Sequence, residues 1–502
     1  MTRTIVVGGG VGGLAVAIRL AAAGHDLLLV ERNDVVGGKL ATYTRDGYTF
    51  DIGPSLVTLP HLFHELFELA GSTPPNSNEP GQLEPAQFEM VRLEMVRLDP
   101  QFRYHWGDGS TLTIADDNDE TAAAFEEFTE GAGAHWRSFD ARGRRIWDVA
   151  ERTFLAGPMT SAASLARRMR SPFDLTAIDA FRTLHRSATT YFDDDRLAQW
   201  AGRYATYSGS SPFRAPATLA CIPHIEARFG CWYPMGGLGT IRDALERIAR
   251  ECGVEIRTGT EVAAVTADDE RVRGVVLVDG TEVTADVVVA NVDAEHLYTD
   301  LLPDPAASRR VRRAGRSTSG FAICAAVRGL TPGLMHHNVW FSGDERGEFE
   351  AIRRGELPKD PTIYGCVSAV TDPSQAPDGC ENWFLLVNTP PGVEVDPERG
   401  TDLVLHRLEL HGVPLRERIE FAHTLSPADI AARYRSPGGA IYGTSSDGRR
   451  AAFNRPANRG TRAGLYLVGG SSHPGGGLPL VLTSARIVAE MIEGDQQRIG
   501  EQ

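Results

Sequence analysis

Three glycines near the start of the chain, Gly8, Gly10 and Gly13, stand at G-x-G-x-x-G spacing. The first allows a tight turn, the second lets backbone approach a diphosphate, and the third lets a helix pack close to a strand. Such glycines work only where a strand runs into a helix, and the flanking residues supply both. Residues 4–7 are an apolar, β-branched run. Residues 14–23 are rich in Ala and Leu and stop at Gly24. Residues 26–30 form a second apolar strand that ends at Glu31. This is a βαβ unit, with the diphosphate expected on the helix N-terminus. A carboxylate at Glu31 accepts hydrogen bonds from ribose hydroxyls and repels a 2′-phosphate. The spacing predicts a dinucleotide site.

Two further segments bear on whether that dinucleotide is NAD or FAD. Gly37-Gly38-Lys39 is a second glycine turn with a cation beside it, suited to a phosphate. Phe50-Asp51-Ile52-Gly53-Pro54 is a rigid turn able to bring backbone close to a flat ring. At the far end, residues 465–468 read as a buried strand. A loop nearly free of side chains follows, and then a helix from about Pro479 to Glu493. Its positive end suits a ring that becomes anionic on reduction.

The rest of the chain bounds these readings. The 502 residues carry 51 Lys+Arg against 66 Asp+Glu, a net charge of −15, so nucleic acid is not an expected partner. Six cysteines without C-x-x-C or zinc-ligand spacing read as reduced thiols, and no metal site is expected. Neither a signal peptide nor an apolar run long enough to span a bilayer is visible, which points to the cytoplasm. Residues 72–85 read as a loop, and EMVRL occurs twice in tandem at 89–98. Residues 102–114 read as a hairpin and 118–203 as mostly helical. A second βαβ-like stretch covers 232–291, and 300–455 alternate strands and helices.

Taken together, the motifs resemble the phytoene desaturase family of carotenoid-modifying flavoproteins. They are G-x-G-x-x-G with Glu31, E-x5-G-G-K, F-D-x-G-P, W-Y-P-M-G-G-L-G at 232–239 and L-Y-L-V-G-x-x-x-H-P-G-G-G-L-P at 465–479. Segments 334–338, 372–379 and 436–443 belong to the same likeness, which covers nearly the whole chain. Ser472 stands where many members have Thr, which keeps the hydroxyl. The resemblance implies an α/β fold with a discontinuous Rossmann-like FAD-binding domain (1–75, 225–300 and 455–502). An inserted α+β substrate domain (76–224 and 301–454) would face the membrane. It implies noncovalent FAD contacted by Gly8, Gly10, Gly12, Gly13, Glu31 and Arg32 at the adenosine and diphosphate end. Gly38, Lys39, Gly53, Pro54, Ser55, Gly237 and Val262 complete the middle. Gly469, Gly476, Gly477, Leu478 and Pro479 form the closing loop.

The family's reaction removes hydrogen across C–C bonds of a long isoprenoid polyene, with hydride passing to the flavin. Among catalytic candidates only His473, beside the closing loop, is singled out. His336 and His337 read as neighbouring strand residues, one inward and one outward. Two other readings are a flavin reductase or reductive cyclase on a different polyene, and a flavin-free prenyl-lipid escort. The second has no physical need for the phosphate glycines. A family working on lipids also implies contact with a membrane surface. Between residues 151 and 190, six arginines interleave with Phe154, Met159, Leu165, Phe173 and Phe181, a basic amphipathic pattern. The same pattern also suits an ordinary domain face with Arg stems packed on the core.

Overall fold

The strands expected around the glycine turns assemble into one parallel sheet. A computed structural model describes residues 2–70, 93–159, 161–171, 173–448 and 451–500. The 72–85 loop and all but the last residue of the first EMVRL copy lie outside them. The second copy supplies Met95–Arg97, which pairs with Trp232–Pro234.

The sheet has the order Leu465–Leu467, Val287–Ala290, Arg3–Val7, Asp26–Val30, Glu255–Arg257, every pair parallel. These strands are continuous apolar runs because both faces are covered. The helix Val11–Ala22 is buried nearly all round, packed between the sheet, Gly239–Glu251 and Leu478–Gly500. The stretch 232–291 is therefore not a second self-contained βαβ unit. Its helix delivers Glu255–Arg257 to the edge of the first unit, beside Asp26–Val30. A three-stranded antiparallel layer, Val262–Ala267, Val272–Leu277 and Glu282–Thr284, shares the apolar cluster behind the sheet.

A second sheet has seven strands: Ile419–Leu425, Ser319–Arg328, Cys380–Thr389, Ile363–Val367, His337–Trp340, Phe102–His105 and Thr111–Ile114. All its pairings are antiparallel except that of Phe102–His105 with His337–Trp340. The helices from Asn118–Phe128 to Asp195–Gly202 pack with its last strands around Phe125, Trp136 and Trp200. The hairpin Thr42–Arg45 and Tyr48–Asp51 lays Tyr48 and Phe50 onto this sheet, against Ala322, Cys324 and Phe384.

The Arg-rich segment divides. Arg152 pairs with Asp174 at 2.7 Å and Arg182 with Asp179 at 2.5 Å. Arg168 donates to the carbonyls of Thr153, Gly157 and Pro158 at 2.9–3.0 Å. Met159 and Leu165 are buried, whereas Phe173 and Phe181 are 80% and 64% exposed. Among the described residues no helix is long and apolar enough to cross a membrane.

Candidate functional site

Parallel strands present their C-terminal ends, and the helices that follow them, at one edge of a sheet. That rule brings the first and last thirds of the chain together here. Gly8 has φ of 99°, and a Cβ on Gly13 would stand 2.1 Å from the Gly8 carbonyl oxygen. The two glycine turns meet as well. Gly37 donates to the Gly9 carbonyl at 2.7 Å, and a Cβ on Gly38 would stand 3.1 Å from the Gly10 Cα.

At their centre lies a residue the motifs did not single out. Asn291, just past Val287–Ala290, donates its amide to the Gly8 carbonyl at 3.1 Å. A Cβ on Gly10 or Gly12 would come to 2.9 Å from its side chain, and one on Gly469 to 2.5 Å. A polar residue ending an all-apolar strand beside the glycine turn is the signal that could have marked it. Glu31 is buried where expected. One carboxylate oxygen accepts from Gly9 N at 2.8 Å, and the other from the Asn33 backbone and side chain at 2.8 and 2.7 Å. A carboxylate has about four lone-pair directions, so capacity for a ribose hydroxyl remains. A floor without side chains, a carboxylate at the second strand end and two helix N-termini fit a dinucleotide.

The two cations expected at this end already have partners within the protein. Arg32 donates to the carbonyls of Ala432 and Arg433 at 2.8 and 3.2 Å and lies 3.6 Å from Glu261. It ties the sheet edge to the helix Pro427–Tyr434. Lys39 is held in a similar way. Its ammonium donates to the Ile441 carbonyl, with Ala440 O at 3.5 Å. Burial lowers its pKa to about 8, against the opposing charge of Asp293. Arg455 acts in parallel, donating to Tyr442 O, Thr444 O and Gly470 O at 2.7–3.1 Å. A buried cation must find partners, and the carbonyls of 440–444 are those partners.

The middle motifs converge through two acids. Asp51 accepts from Leu238 N at 3.0 Å, at the start of Gly239–Glu251, and a Cβ on Gly237 would lie 3.3 Å from its carboxylate. Burial raises its pKa to about 7, opposed by backbone hydrogen bonds from Leu238 and Gly239. Asp372 accepts from Gly236 N at 2.7 Å. Gly53 lies so close to Lys39 O that a Cβ would overlap it at 1.7 Å. Pro54 follows, half-buried. Ser55 Oγ meets the Tyr364 hydroxyl at 2.5 Å, and that hydroxyl meets His337 Nδ1 at 2.8 Å. Contrary to the one-in, one-out expectation, His336 and His337 are both buried. The cause is cover on both faces of the sheet: every residue of His337–Trp340 is buried, with Val339 packed into one apolar cluster and Trp340 into another. Val262 buries its side chain in the cluster behind the parallel sheet, with Leu28 and Val30.

In the closing loop a Cβ on Gly476 would stand 2.7 Å from the Tyr442 ring, whereas one on Gly477 would meet nothing within 4 Å. Leu478 is buried and Pro479 half-buried at the start of Leu478–Gly500. His473 turns away from that opening. Its ring packs edge-on against Phe154 and its Nε2 lies 3.2 Å from Gly157 O. Burial lowers its pKa to about 4.

Fold and site together define a dinucleotide-dependent oxidoreductase of the flavoprotein class. Residues 11–492 match the family described as flavin containing amine oxidoreductase. The chain is 34% identical to 4,4'-diapolycopene oxygenase of Methylomonas sp, over 99% of both chains. It is also 34% identical to the zeta-carotene-forming phytoene desaturase of Myxococcus xanthus, over 98% of this chain and 93% of that one. A solved oxidoreductase from Methanosarcina mazei shares the fold, with a TM-score of 0.65 at 17% identity over 97% of this chain and all of that one. The chain belongs to the flavin containing amine oxidoreductase family, in its phytoene desaturase-like group, and is an FAD-dependent enzyme.

Proposed function

We propose that this enzyme introduces C=C bonds into a carotenoid or related isoprenoid polyene. The observation that carries this is the nearly full-length likeness to a curated carotenoid desaturase at 34% identity. FAD, when bound, supplies the acceptor for hydride.

The chain's own residues bind, orient and exclude water. Gly10, Gly12 and Gly38 leave the diphosphate room, and Glu31 takes ribose hydroxyls. Asp51 and Asp372 hold the 236–239 turn, and Lys39 and Arg455 hold 440–444 against the closing loop. The rings of Tyr364, His337, Phe102 and Tyr104 follow one another beside Ser55, the first pair tilted and the other two stacked, and pack this part of the substrate half. His473, neutral and turned toward Gly157, serves loop structure rather than proton transfer. The cofactor half comprises 1–75, 225–300 and 455–502, and the substrate half the remainder. A polyene dissolves in bilayers, so the enzyme works at the cytoplasmic membrane face. The exposed Phe173 and Phe181 support that reading.

Co-expression with a pathway that makes acyclic carotenoids, followed by chromatography, tests the proposal. Products with added double bonds are expected, and Gly10→Val should abolish them. An unchanged polyene pool overturns it. Oxygenated products would favour the oxygenase relatives' reaction instead.

A further inference from the structure

His336 and His337 meet Cys366 across two paired strands: His337 and Cys366 are direct partners in the register. One ligand-capable atom from each of the three lies within 4.8 Å of the others, and all three residues are buried. Each imidazole commits Nδ1 to a hydroxyl, His336 to Thr371 and His337 to Tyr364, both at 2.8 Å. Each leaves a buried Nε2 with no protein partner. An unsatisfied buried polar group needs an explanation, and here two occur within one three-residue group that also holds a thiol. Metal-binding imidazoles are held in this way, one nitrogen fixed by an outer group and the other free to coordinate.

We propose that His336, His337 and Cys366 form a three-residue site for one zinc-class metal ion. Two imidazoles and a thiolate favour such an ion over magnesium or calcium, which prefer oxygen ligands. Bonds of ~2.1 Å to nitrogen and ~2.3 Å to sulfur put tetrahedral ligand atoms ~3.5 Å apart, so the side chains draw in by about 1 Å on binding. The thiol proton leaves to solvent as the ion binds. Three protein ligands leave a fourth position for water or another small ligand. Through Tyr364 the outer shell reaches Ser55. The spacing of the six cysteines gave no hint of this site, because its members meet only through strand pairing.

The test uses the FAD-loaded enzyme produced in zinc-supplemented medium, so that the ion enters during folding, and washed with chelator. Elemental analysis should find about one zinc per chain. His336→Gln and Cys366→Ser should each lower retained zinc about tenfold or more. Enzyme produced with cobalt should show tetrahedral d–d bands beyond the flavin's absorption, plus a thiolate charge-transfer band that Cys366→Ser removes. The flavin spectrum of each variant reports its folding. Wild-type enzyme without zinc or cobalt overturns the site, as does metal retained equally by the His336→Gln/Cys366→Ser double variant.

Discussion

The Asn291 side-chain amide donates to the Gly8 carbonyl at 3.1 Å, tying the end of one parallel strand to the turn after its neighbour. Replacing Asn291 with Ala leaves that half-buried carbonyl without its partner, at a cost of about 1–3 kcal/mol. FAD titration of Asn291→Ala should show affinity reduced by roughly tenfold or more. Unchanged affinity would place the diphosphate away from this hub.

Glu31→Ala removes a carboxylate that already accepts three protein hydrogen bonds. FAD affinity should fall roughly ten- to a hundredfold. Because Gly9 N and Asn33 N lose their acceptor, thermal stability should fall as well, which scanning calorimetry of the apoprotein would show.

Gly476→Leu drives a side chain into the Tyr442 ring and disturbs the segment that Lys39 and Arg455 hold. The variant should retain FAD, since the adenosine end is untouched, but show an altered flavin spectrum and no turnover. A normal spectrum with normal product would separate this loop from the reacting ring.

Stability should depend on pH in a direction set by buried groups. Burial raises Glu348 to about 7, opposed by hydrogen bonds from Thr362. Its folded value exceeds the unfolded one, so the native state holds the extra proton. Stability is therefore lost as pH rises from about 4.5 to about 7. His105 and His473 run the other way. Burial lowers each to about 4, and stability is lost as pH falls from about 6.5 toward 4. Thermal melts of wild type and Glu348→Gln across this range should show a flatter upper limb in the variant and an unchanged acid limb.

Vesicle co-sedimentation should respond to Phe173→Ser, Phe181→Ser and Arg186→Glu, whose side chains do not hold the fold together. Anionic vesicles should bind the triple variant at least roughly fivefold more weakly. Arg168→Glu should instead destabilise the protein, since that guanidinium holds three carbonyls.

The βαβ unit, Glu31 and the closing strand, loop and helix were legible because each is local: a period, a glycine spacing, a strand end. What escaped was set by distant partners. Arg32 and Lys39 sit beside a phosphate-type turn, yet their carbonyl partners lie at 432–433 and 440–441, beyond any local pattern. Asn291 looks like an ordinary turn residue until Gly8, Gly12 and Gly469 are folded around it. The burial of both His336 and His337 follows from cover on both faces of their sheet, which distant segments supply.

The order of strands in the parallel sheet also governs how the protein can be made. Arg3–Val7 leaves the ribosome well before Val287–Ala290, which pairs with it, and Leu465–Leu467 follows later still. Pairings between such distant segments close large loops and are slow to form. A nascent chain therefore carries its first glycine turn unfinished until Val287–Ala290 and Leu465–Leu467 are made, with an apolar strand edge waiting for partners. Cofactor capture becomes a post-translational event, and a ribosome that stops short of residue 465 releases a chain with no cofactor site and an open edge for chaperones or aggregation.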